Sequence, residues 1–101
     1  MAYPAVDGLP PIHPGEFLGD ELAALGLSAR KFAEHIGVPA NAITSILNGD
    51  RGISAAMALR LAKAFGTTVQ YWLNLQDIYE TKRAREEIRD KLDAIAPLVA
   101  A

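Results

Sequence analysis

The chain has 101 residues, half of them hydrophobic, and no cysteine. One compact core fits that length and a second does not; disulfides and thiolate zinc sites are excluded, and a reducing cytoplasm is the expected setting. No apolar run approaches the roughly 20 residues of a membrane span, no secretory signal is apparent, and the formal charge is −2.

Residues 1–12 contain Pro4, Pro10 and Pro11 without periodicity, which predicts an extended arm. From His13 the chain reads as a first helix: Pro14 suits its opening turn, Glu16 favours the positive end of the helix dipole, and Gly26 can close it. Leu18, Leu22 and Leu25 recur at helical spacing and are expected to face the core. Glu16, Asp20 and Glu21 gather on another face, which is either plain solvated surface or a docking surface for a basic partner.

Ser28 caps a second helix, with Arg30 and Lys31 in its opening turn placed to meet phosphates. Ala33 falls where two helices must cross closely, and Gly37 where the turn needs a left-handed backbone. Ile43 and Ile46 then bury one side of a third helix. These four positions in register are the spacing of a helix-turn-helix, a unit that holds its second helix ready for the DNA major groove. With Ile43, Ile46 and Leu47 turned inward, the outward residues are Asn41, Thr44, Ser45 and Asn48, with Pro39 and Ala40 at the leading end. Asn can pair bidentately with adenine, Ser and Thr can bond several bases, and Ala can touch the thymine methyl. Arg51 follows in a short loop where a phosphate contact is expected.

Ser54 caps a fourth helix that buries Met57, Leu59, Leu61, Ala62 and Phe65 and stops at Gly66. Thr68 begins a fifth, whose Trp72, Leu73, Leu75, Ile78 and Tyr79 supply more apolar surface than so small a domain can enclose. Part is core; part is expected to form a dimer contact. No proline or glycine interrupts the chain from there to Pro97, so helix can continue. Lys82–Glu86, Arg83–Glu87, Glu87–Lys91 and Arg89–Asp93 set opposite charges at i,i+4, each worth roughly 0.2–0.5 kcal/mol. Ala84, Ile88, Leu92 and Ile95 form a narrow apolar stripe that something must cover.

The small acidic total conceals a division along the chain. Residues 1–27 carry four acidic side chains and no Lys or Arg, residues 28–66 five basic against two acidic, and residues 67–101 five basic against six acidic. The positive excess therefore falls on the helix-turn-helix, where phosphates would lie.

Three stretches carry a more specific signal: IHPGEFLGDELAALGLS from Ile12 to Ser28, the helix-turn-helix itself, and NGDRGISAAMALRLAKAFGTTVQYWLNLQDIYE from Asn48 to Glu80. Over about two thirds of its length the chain resembles the HigA antitoxins of toxin–antitoxin modules, within the Xre-type helix-turn-helix proteins. The resemblance implies an all-α, five-helix lambda-repressor-like domain over residues 13–80; the helical extension over 81–101 lies at or beyond its edge and rests on the charge spacing and the absence of helix breakers. The resemblance further implies a homodimer that binds a palindromic operator in its own promoter and neutralises a HigB toxin, a small basic RelE-like ribonuclease that cuts mRNA on the ribosome. Carried over position by position, Pro39, Ala40, Asn41, Thr44 and Ser45 fall where the family reads bases, and Arg30, Asn48 and Arg51 where it touches the backbone. The dimer contact maps to Trp72, Leu75, Ile78 and Tyr79. The acidic set Glu16, Asp20 and Glu21 is the first candidate for toxin binding, with the segment after Glu80 second.

A stand-alone Xre-type repressor without a toxin shares the same DNA helix, but the HPGE and WLNLQ segments count against it. No enzyme is expected: His13 and His35 lack a metal-ligand spacing, no nucleophile–base set appears, and no cofactor is implied. His13 reads as a helix-entry residue and His35 as an exposed one.

Overall fold

The computed structural model describes residues 10–99, which fold into six α-helices with no strand among them. They are α1 (Pro14–Leu25), α2 (Ala29–Ile36), α3 (Ala40–Leu47), α4 (Ala55–Phe65), α5 (Val69–Glu87) and α6 (Arg89–Asp93). The arm expected over residues 1–12 lies mostly outside the described residues; Pro10 to Ile12 carry no helix.

Short polar residues set where the helices begin. The Ser28, Ser54 and Thr68 hydroxyls accept from the backbone amides of Lys31, Met57 and Tyr71 at 3.0–3.1 Å, so α2, α4 and α5 each enter with a first-turn donor satisfied. The backbone then turns left-handed at Gly26, Gly37 and Gly66 to end α1, α2 and α4.

The core is built from the inward faces of α1 to α4 and a single residue of α5. Leu18 and Leu22, Phe32 and Ala33, Ile43 and Ile46, and Met57, Ala58 and Leu61 are buried together with Ile53 and Trp72. Phe32 stacks on Phe65 at 5.2 Å between centroids, and Phe65 lies 5.7 Å from Trp72. The Trp72 indole N–H donates to the Thr67 hydroxyl at 2.8 Å, so its one polar atom is satisfied inside the turn that joins α4 to α5.

Three sequence expectations change. Leu25 and Leu59, expected inward, are 58% and 59% exposed: Leu25 is the last residue of α1, and Leu59 lies on the side of α4 turned away from Met57, Ala58 and Leu61. Trp72, expected at a subunit contact, is fully enclosed by its own chain, because the core needed one large aromatic from α5 to close it. The fifth helix continues past Glu80 to Glu87, as expected, but it then breaks at Ile88 (φ −115°, ψ 21°), with neither proline nor glycine to enforce the break. The short α6 follows as a sixth helix.

Candidate nucleic-acid interface

The turn between α2 and α3 closes on one residue. Ala33 is buried at the crossing, and its carbonyl accepts from the Val38 amide at 3.0 Å as the chain swings through Gly37 at φ 73°. A side chain at Gly37 would strain that left-handed backbone, and a larger one at Ala33 would separate the helices.

The start of α1 packs on the far end of α3. His13 caps α1 with its Nδ1 accepting from the Gly15 amide at 2.8 Å, and Pro14 follows at the first helical position. Gly15 lies so close to the Ile46 carbonyl that a Cβ there would overlap it. The HPG segment is therefore a docking device: it brings α1 against the C-terminal turn of α3.

Held from behind by Ala42, Ile43 and Ile46, all buried, the eight-residue α3 turns Pro39, Ala40, Asn41, Thr44 and Asn48 to solvent. Ser45 is half-buried, and its carbonyl accepts the amides of Asp50 and Arg51 at 2.9 and 3.2 Å, folding the following loop back onto the helix. Pro39 offers α3 no side-chain cap. Ser28, Arg30 and Lys31 are exposed at the start of α2, and the Arg51 side chain is exposed in the loop after α3. Every residue expected to read bases or touch phosphates thus lies on one contiguous stretch of chain, at the surface apart from Ser45.

The remaining candidates divide. Glu16, Asp20 and Glu21 are exposed on α1. Ile78 is 51% exposed on α5 and Leu75 is half-buried. Tyr79 is engaged within the chain: its ring meets His13 edge-on at 4.9 Å, and its hydroxyl accepts from Arg83 at 3.1 Å.

Two positions that the sequence left without a role also contribute. Arg60 belongs to the basic excess, yet its Nε donates to the Ile36 carbonyl at 3.2 Å and so caps the end of α2. Gln76, the last residue of the WLNLQ segment, accepts from the buried Ile53 amide at 2.7 Å. No local signal marked the second: Gln76 stands between Asn74 and Asp77 in an already part-polar stretch, and its partner lies 23 residues away.

Comparison with known proteins fits this geometry. A family model described as Helix-turn-helix matches residues 19–72, from within α1 to Trp72. An addiction module antidote protein of the HigA family from Coxiella burnetii is 49% identical, with a TM-score of 0.85 over 88% of this chain and 99% of its own. The chain belongs to the HigA family of helix-turn-helix antitoxins. Another HigA-family structure, Pseudomonas aeruginosa antitoxin HigA with the higBA promoter, is 40% identical, with a TM-score of 0.84 over 88% of this chain and 99% of its own. Virulence-associated protein I of Dichelobacter nodosus is 41% identical over 100 residues, covering 97% of this chain and 92% of the relative.

Proposed function

We propose that this HigA-family chain binds the operator of its own promoter as a homodimer and neutralises a HigB-like, mRNA-cleaving toxin by direct contact in the cytoplasm. The observation that carries the DNA half is α3: its apolar side is buried, and Asn41, Thr44 and Asn48 stand in solvent at helical spacing. Pro39, Ala40, Asn41, Thr44 and Ser45 read the base edges, while Ser28, Arg30, Lys31, Asn48 and Arg51 hold the phosphates. A DNA-bound relative of the same fold supports this reading.

For the dimer, Ile78 with the exposed parts of Leu75 and Tyr79 is the contact, extended by Ile88, Leu92 and Ile95, which are exposed as well. For the toxin, the Glu16, Asp20 and Glu21 face of α1 offers a basic protein three carboxylates on a folded surface.

The test is to purify the chain gently from its native cells, weigh what accompanies it, and titrate the complex with DNA from upstream of its gene. A small basic protein in fixed ratio and a shifted promoter fragment are expected. A bare homodimer that still binds the promoter would make it a stand-alone repressor, and a chain that ignores the promoter would end the operator reading.

A further inference from the structure

We infer that Gln76 is a positioning residue for DNA, holding the backbone on which Arg51 reaches a phosphate; the inference rests on the operator reading above. The loop between α3 and α4 is tied down on both sides of Arg51. Toward α3, the Asp50 and Arg51 amides share the Ser45 carbonyl. Toward α5, the Ile53 amide donates to Gln76 Oε1 at 2.7 Å, and Gln76 Nε2 donates to Glu80 Oε1 at 2.9 Å, which orients the amide group.

Ile53 is buried, so few waters could replace that acceptor. Gly52 completes the arrangement. A Cβ on Gly52 would lie 2.7–2.8 Å from the Gln76 amide atoms, so the glutamine can rest against the loop because residue 52 has no side chain. Gly52 has no left-handed backbone to explain it, and the space for Gln76 does. Gln76 lies beyond the end of the matched helix-turn-helix region, on the helix that also carries Ile78. The phosphate-facing loop is thereby referenced to the helix of the proposed dimer contact, two residues from Ile78.

The contact can be broken from either side. Gln76→Ala removes the acceptor; Gly52→Ala leaves it in the chain but expels it from its place. Both variants are expected to weaken binding to the promoter fragment, by about 3–10-fold if one modest hydrogen bond's worth of ordering is lost. The slope of log affinity against log salt should become shallower by about 1 per subunit as the Arg51 phosphate contact is lost. In an Arg51→Ala background, Gln76→Ala should change that slope no further, and Gly52→Ala combined with Gln76→Ala should bind no worse than either alone.

A purely structural role predicts a lower melting temperature with operator affinity and salt slope unchanged, and that result would overturn the inference. Should Gln76→Ala fail to fold, the Gly52→Ala chain carries the same comparison. Failure of the unmodified chain to bind its promoter would overturn the proposed function and this inference together, a result distinct from binding that is merely indifferent to Gln76 and Gly52.

Discussion

Gly15 shows how one atom can set an interface between helices. Glycine in the first turn of a helix costs conformational entropy that alanine would save, and α1 accepts that cost because the Ile46 carbonyl occupies the place of a Cβ. Gly15→Ala must therefore drive α1 away from α3, and destabilisation of about 1–3 kcal/mol is expected, as for other overpacked cores. Urea unfolding would register it as a lower midpoint at unchanged slope. Asn41 is the opposite case, a residue whose side chain meets nothing inward. Asn41→Ala should leave the unfolding midpoint in place and weaken operator binding by about 1–3 kcal/mol, the worth of a bidentate base contact. Titration of the promoter fragment against the specific and a scrambled sequence checks this, and equal loss on both would assign Asn41 to the backbone instead.

Among the elements, α5 is held by its capped first turn, by the buried Trp72, and by the Gln76 and Tyr79 contacts described above. Thr68 caps it and Trp72 fixes it to the core, whereas most of its length faces solvent. Trp72→Ala should cost about 3–5 kcal/mol, enough to unfold much of a marginal domain. Thr68→Ala should cost about 1 kcal/mol and lower the melting temperature by about 4–8 °C in a chain of this size. A calorimetric scan of both would rank them. The helix starts and stops were legible because Ser28, Ser54, Thr68, Gly26, Gly37 and Gly66 act within one turn of the chain. The outer face of α3 was legible for the same local reason: Ile43 and Ile46 fix its inner side. The exposure of Leu59 follows from its place on the side of α4 away from Met57, Ala58 and Leu61. Burial at Leu25 and Trp72 was not legible, since it depends on how far the neighbouring helices extend, which helical spacing does not encode. The Gln76–Ile53 hydrogen bond spans 23 residues and escaped for that reason too.

At the scale of the whole molecule, the radius of gyration is 16.5 Å, against about 13 Å for a compact domain of this size. A helix of 19 residues is about 28 Å long, so α5 outruns the core that Trp72 anchors it to. Ile78, Ile88, Leu92 and Ile95 are left uncovered in one subunit. Placing Asp at both Ile78 and Leu92 should yield a folded monomer in sedimentation, with circular dichroism unchanged and operator affinity sharply reduced. A dimer that survives would move the contact elsewhere. In the proposed dimer the two copies of α3 should stand about 34–36 Å apart, one turn of DNA. If each dimer neutralises about 6–10 phosphates, affinity should fall by about 10³–10⁵ between 50 and 200 mM salt. Filter binding across that range measures it, and a flat response would remove the electrostatic footprint of Arg30, Lys31 and Arg51.

The eight residues of α3 are too few to form a helix alone in water, so its shape is lent entirely by what lies behind it. Ala42, Ile43 and Ile46 provide it from the core side, while the Asn41, Thr44 and Asn48 side chains stand in solvent. If α3 reads the operator as proposed, such a partition makes the reading face evolvable: its letters can be rewritten for a new operator, with no step through an unfolded chain, while the scaffold stays as it is.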